Sequence, residues 1–170
     1  MSDKLLTPTE KSLLLAVPEL AHLEGLCSIL NDPAVANALG GPRSRDDVAK
    51  SIHNERRHWQ EQGFGPWVVI DRTSGSVLGR GGIRRARVRD ADEVELFYAV
   101  SSSLWGRGIA TSLARSAVAL GLRMKLPSIV TFMLEGNGGS KRVAEKLGFA
   151  REGEFLHAGM PHVLYRRNLG

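Results

Sequence analysis

The chain is poor in cysteine and in long apolar runs, and it lacks any metal-ligand spacing. Each shortage removes a class of protein. Cys27 is the single cysteine in 170 residues, so no disulfide framework can form within the chain. That usage leads to the expectation of a reducing, cytoplasmic location. Cys27 lies in an apolar helical stretch and reads as a core residue, not a nucleophile. No stretch approaches the roughly 18 apolar residues of a membrane span, so no membrane partner is expected. Met1-Ser2-Asp3-Lys4 leads into no apolar region of the kind a secretory signal needs. Residues 1–10 read as a loose terminus. The histidines are His22, His53, His58, His157 and His162. Among them, His53 and His58 are too badly phased to share a helix face, and no metal is expected. Internal repeats and low-complexity linkers are missing as well.

Positive charge is in modest excess, with 23 Lys and Arg against 18 Asp and Glu. Arginine gathers in one place: Arg80, Arg84, Arg85, Arg87 and Arg89. A basic surface attracts anions of many kinds. Aromatic residues that could stack on bases are not interleaved with these arginines, which disfavours nucleic acid. The run reads as a solvated hairpin. The remaining composition, 42% hydrophobic and 24% charged, is that of a globular protein, and the length suits one domain over residues 1–170.

The stretch from Val94 to Leu120 organises the chain. Val94, Leu96, Tyr98 and Val100 alternate with Glu95, Phe97 and Ala99, as on a strand. Ile109, Leu113, Ala117 and Leu120 then recur at helical spacing. Between them, Gly106 and Gly108 flank the helix start. Glycines there leave backbone N–H groups open, and a helix N-terminus carries positive potential, a combination suited to phosphate or pyrophosphate. A tight turn with no ligand fits the same pattern. The dinucleotide fingerprint is excluded, because Thr stands at position 111 where it would need Gly.

Before this stretch, Ser12 to Val17 reads as a strand. A helix starts near Pro18-Glu19, carries Leu20, Leu23, Cys27 and Leu30, and stops at Asn31-Asp32-Pro33. Gly40-Gly41-Pro42 is a loop. Ser44 to Asp47 caps a second helix that buries Val48, Ile52 and Trp59 and ends at Gly63. Strands follow at Trp67–Ile70 and Ser76–Val88, the latter carrying Gly79, Gly81 and Gly82 as places for a bend or bulge. After the central helix come a strand at Ser128–Leu134, a short helix at Ser140–Leu147 closed by Gly148, and strands at Phe149–Leu156 and Val163–Asn168. Strand–helix–strand runs at the centre call for a parallel pair inside a mixed sheet.

The order of elements and three sets of residues resemble the GNAT N-acetyltransferases, most closely the RimJ/RimL-type branch that includes ribosomal-protein N-terminal acetyltransferases. Trp105-Gly106-Arg107-Gly108-Ile109-Ala110 matches the family's acetyl-CoA pyrophosphate loop. Asn137-Gly138-Gly139-Ser140 running to Glu145-Lys146-Leu147-Gly148-Phe149 matches its Asn-x-x-Ser…Glu-Lys-Leu-Gly-Phe signature. Asn31-Asp32-Pro33, Trp59…Gly63-Phe64-Gly65 and Gly79 are further signposts, and the likeness spans roughly residues 12 to 168. It implies an α/β (mixed α+β) GNAT fold. The sheet would be mostly antiparallel, of about six to seven strands with a central parallel pair, flanked by about four helices. Trp105 departs from the Arg or Gln usual at the first loop position and reads as a marker of the branch.

The resemblance also implies acetyl transfer from acetyl-CoA, as cosubstrate, to a primary amine, either a protein N-terminus or a small molecule, by direct attack in a ternary complex. A base must take the amine's proton, and an acid can return one to the thiolate. It assigns Glu95 as the base, with a cross-strand ion pair to arginine as the competing reading. It assigns Ser140 as the acid, with helix capping as the competing reading. The cofactor site would comprise Tyr98, Val100, Trp105, Gly106, Arg107, Gly108, Ile109, Ala110, Asn137 and Ser140. Asn137 would contact the pantetheine arm or serve as an ordinary turn residue. Tyr98 and Trp59 could instead line the acceptor pocket or lie in the core. The alternative function is a CoA-binding sensor of the same fold that transfers nothing. Either a monomer or a homodimer is compatible with the sequence.

Overall fold

The computed structural model describes residues 12–170, and the expected loose terminus at residues 1–10 lies outside them. Its centre is a seven-stranded mixed sheet of order β1-β2-β3-β4-β5-β7-β6. The strands are β1 (Leu13–Ala16), β2 (Pro66–Asp71), β3 (Val77–Val88), β4 (Ala91–Val100), β5 (Ser128–Leu134), β6 (Ala150–His157) and β7 (Met160–Asn168). Every pairing is antiparallel except that of β4 with β5. The α-helices are α1 (Leu23–Leu30), α2 (Pro33–Ala38), α3 (Arg45–Gln62), α4 (Ile109–Arg123) and α5 (Gly138–Lys146).

Local chemistry accounts for most element ends. The Ser44 hydroxyl accepts from the Asp47 amide at 3.1 Å and opens α3, and Gly63, left-handed at φ 72°, closes it. Two expectations change near the start. Leu20 sits in a 3₁₀ turn (Leu20–His22) and is exposed, so the buried stripe of α1 is Leu23, Leu26, Ile29 and Leu30. Asn31-Asp32-Pro33 ends α1 and also begins α2, a helix the sequence reading did not include. Asp32 accepts from the amides of Ala34 and Val35, and Pro33 occupies the first helical position. α5 starts at Gly138, earlier than Ser140, because Asn137 is its cap.

Strand alternation gives the sheet two apolar faces. On one, Val94, Leu96, Ile129, Met133 and Val163 pack with Ala114, Ala117 and Val118 of α4 and with Ala144 of α5. On the other, Val68 and Ala99 pack under α1 and α3 through Leu26, Leu30, Val48 and Ile52. The bulge expected among the glycines of β3 falls beside them. Val69 pairs with Gly79 and Ile70 with Val77, leaving Leu78 over. Gly81 lies where a Cβ would be 2.4 Å from the Phe97 carbonyl, so the close approach of β3 to β4 requires glycine.

β3 and β4 share ten registered pairs, whereas the parallel β4 and β5 share one, Glu95 opposite Val130. Beyond that pair, Phe97 to Ala99 and Thr131 to Leu134 line a common cavity. The sheet is therefore forked at its centre, and the fork opens toward the loop that leads into α4.

Candidate active site

Gly106 and Gly108 both stand at φ 78°, and nothing lies within 4 Å of where a Cβ would be at either. Gly108 is the N-cap of α4, and no side chain caps this end. The first turn carries no acidic residue either. Its open N–H groups and positive potential are thus left for an anion arriving from outside. Arg107 is exposed, Ile109 is buried in the core and Ala110 is half-buried. The Trp105 indole N–H donates to the Val100 carbonyl at 2.9 Å, with the ring half-exposed. Trp105 therefore fastens the loop to the end of β4, which engages the carbonyl of Val100.

Across the fork, the Tyr98 hydroxyl donates to the Ser140 carbonyl at 3.0 Å. Burial pushes this phenol well above its usual range, so it stays a donor. The Asn137 side chain accepts from the Ser140 amide at 3.1 Å. Capping of α5 thus belongs to Asn137, and the capping reading of Ser140 is corrected. Tyr98, Asn137 and Ser140 line the cavity of about 250 Å³ together with Glu95. Trp59 does not. Its indole donates to the Pro66 carbonyl and its ring packs into the core against Trp67, so its place in an acceptor pocket is also corrected.

Glu95 is 5% exposed and pairs with Arg84, its registered neighbour, at 3.0 Å. The cross-strand ion pair therefore exists, and it stands on the cavity wall. Arg84 also lies over the Phe97 ring at 4.2 Å. The run expected as a solvated hairpin is thereby split. Arg85 and Arg87 are exposed, whereas the Arg80 side chain is only 14% exposed beside Glu55, with a 3.4 Å contact, and donates to Ser51 at 2.9 Å. Burial raises the Glu55 carboxyl and lowers the Arg80 guanidinium, because both charges have lost water. Among the described residues, Glu55 Oε2 and Arg80 Nε have no hydrogen-bond partner.

Arg43, Met160 and His162 also line the cavity, and none of them was singled out as a site residue in the sequence. His162 Nδ1 lies 2.9 Å from the Met160 carbonyl and must donate to it, which leaves Nε2 an acceptor in the neutral ring. The signal for Arg43 was hidden in Asn31, whose amide bonds both the N–H and the C=O of Arg43.

The acetyltransferase (GNAT) domain family matches residues 12–150. The chain belongs to the GNAT acetyltransferase family. A GNAT-family N-acetyltransferase is the enzyme class the resemblance implied. An uncharacterized N-acetyltransferase of Schizosaccharomyces pombe is 27% identical over 181 residues, covering 96% of this chain and 95% of that protein. A structure described as a GnaT-family acetyltransferase from Bordetella pertussis superposes with a TM-score of 0.79 at 22% identity, covering 92% of this chain and 95% of its own. An acetyltransferase of Salmonella typhimurium, solved with its cofactor acetyl-CoA, has a TM-score of 0.75 at 18% identity and covers 94% and 95%. The ribosomal-protein-S5-alanine acetyltransferase of Vibrio fischeri has a TM-score of 0.76 at 15% identity and covers 92% and 93%. A GNAT domain binds acetyl-CoA, and the open, uncapped end of α4 in this chain fits its pyrophosphate. Among the described residues, no helix is long and apolar enough to cross a membrane, and no cluster of metal-ligating side chains is found.

Proposed function

We propose that the protein transfers the acetyl group of acetyl-CoA to a primary amine by direct attack within a ternary complex, and that it belongs to the RimJ/RimL-type branch. The observation that carries this reading is the uncapped, glycine-flanked N-terminus of α4 beside a fork between β4 and β5. Trp105 and the likeness to the ribosomal-protein acetyltransferase support the branch. The acceptor is a protein N-terminus or a small amine.

In this reading the backbone N–H groups from Gly106 to Ala110 hold the pyrophosphate, and Asn137 and Val100 border the pantetheine arm. Tyr98 ties β4 to α5 across the fork. Glu95 takes the proton of the attacking amine, directly or through water, and Arg84 holds its carboxylate in place. Ser140 returns a proton to the departing thiolate. Alignment of the two substrates supplies much of the acceleration. A second reading of the base is His162, favoured by its fixed tautomer on the same cavity wall.

The test is thiol release from acetyl-CoA across a panel of amines. Glu95→Gln should lower kcat/KM by on the order of 10²-fold and flatten the acid side of its pH profile. An unchanged profile removes Glu95 from the role, and loss of that limb in His162→Gln alone would transfer it. Ser140→Ala should keep its melting temperature, because Asn137 caps the helix, while turnover falls. Binding of acetyl-CoA with no thiol release from any amine would instead mark a sensing module.

A further inference from the structure

The structure assigns an acidic acceptor to this site: we propose that the amine substrate carries a carboxylate or similar anionic group received by Arg43, Arg80 and Arg84. The inference rests on the transferase reading and names its substrate class. Three guanidinium groups, from one loop and one strand, line the cavity that Glu95 borders. Arg43 comes from the loop between α2 and α3, and Arg80 and Arg84 come from one face of β3. Asn31 grips the Arg43 backbone on both sides, at 3.0 Å and 2.9 Å, so this arginine is placed by design of the loop.

The charges do not cancel. Glu55 accompanies Arg80 and Glu95 accompanies Arg84, but among the described residues no carboxylate lies within ion-pair distance of Arg43. Its guanidinium meets the carbonyls of Leu39 and Gly41, both at 3.4 Å, which are long and easily exchanged. Arg84 stacks on Phe97 and hydrogen-bonds only through Nε, its remaining donors making no hydrogen bond among the described residues. Arg80 holds a buried Nε with no hydrogen-bond partner among the described residues. The wall also carries His157 and His162, which can add only positive charge, and Tyr98, whose phenol burial keeps protonated. A cavity with one carboxylate on its wall and surplus guanidinium donors suits a zwitterion. The ammonium faces Glu95 and the acid faces Arg43. Polycationic amines would be repelled.

The same chemistry is offered by a free amino acid and by a polypeptide N-terminus with an acidic second residue. Binding to the protein–CoA complex is measured by titration calorimetry for two matched pairs: L-alanine against L-alaninamide, and a tripeptide with Asp second against the same tripeptide with Asn. The acid of at least one pair should bind roughly tenfold tighter at low salt, and the advantage should shrink as salt screens it. The pair that shows it names the source. In Arg43→Gln, whose exposed side chain can be changed without disturbing the core, the ratio of acid to amide should fall several-fold. Equal binding of acid and amide in both pairs, or a ratio untouched by Arg43→Gln, overturns the inference. Thiol release is scored separately. An acid preference in binding with no release from any amine would sink the transferase reading and leave the anion site standing.

Discussion

Asp32 does two things at once, and both need its charge. One carboxylate oxygen caps α2, and the other accepts from the Ser102 hydroxyl at 2.8 Å, just ahead of the α4 loop. The Ser102 bond, followed by the amides of Val35 and Ala34, holds the carboxyl below its usual range. A lowered folded value means that the unfolded chain binds the proton more readily. Stability from Asp32 is therefore present above the ordinary aspartate value of about 3.9 and is lost as pH falls through the folded value. Asp32→Asn should melt lower than the parent near neutral pH, and the gap should close in acid. A gap constant from pH 7 to pH 3 would show that the charge is idle. Glu95 was legible residue by residue, because alternation alone placed it opposite the apolar face of its strand. Its pairing with Arg84 depended on register, and a one-residue slip would have made Arg85 its partner. Arg43 was not legible, since its position is set by the Asn31 amide across an intervening helix.

At the level of elements, α4 matters for what its N-terminus lacks. Asp32, Ser44 and Asn137 cap the starts of α2, α3 and α5 with their side chains, whereas α4 starts at a left-handed glycine with no side-chain cap. Gly108→Ala should cost about 1 kcal/mol for the left-handed backbone, a fall of roughly 2–4 °C in melting temperature. The further rise produced by acetyl-CoA should also shrink, because a methyl group would stand at the phosphate approach. An undiminished ligand-induced rise would contradict the assignment of this helix end. The element was readable because Ile109, Leu113, Ala117 and Leu120 keep helical period, and all four are buried. The missed helix α2 shows the limit. Six residues with two buried side chains carry too little periodicity, and a stop signal at Asn31-Asp32-Pro33 is chemically the same as a start signal.

On the scale of the whole molecule, the sheet is held shut at one end of the fork and open at the other. Arg166 of β7 ties the closed end. It donates to both oxygens of Glu93 on β4, at 2.6 Å and 3.0 Å, to Ser128 on β5, and to Glu152 on β6. These bonds, chiefly those to Glu93, hold its guanidinium well above its ordinary value. Glu93 is 16% exposed and Glu152 36%, so the first contact contributes more and the second is screened. Arg166→Leu should cost about 2 kcal/mol, or roughly 4–8 °C, by leaving Glu93 unpaired. A change within about 0.5 kcal/mol would show that the strand pairing holds the fork without it. The mixed sheet and its parallel pair were foreseeable from the order of elements, but the single registered contact between β4 and β5 was not.

That fork and the open end of α4 make one demand of solution behaviour, and a melting curve reads it. The protein is heated alone, with acetyl-CoA, with CoA and with ATP. A ligand bound only by the folded state raises the melting temperature by mass action. Acetyl-CoA and CoA should each raise it and ATP should not, because ATP has the phosphates without the arm that the proposed site would take between the strands. No rise with either CoA compound, or an equal rise with ATP, would contradict a CoA site at Gly106–Ala110.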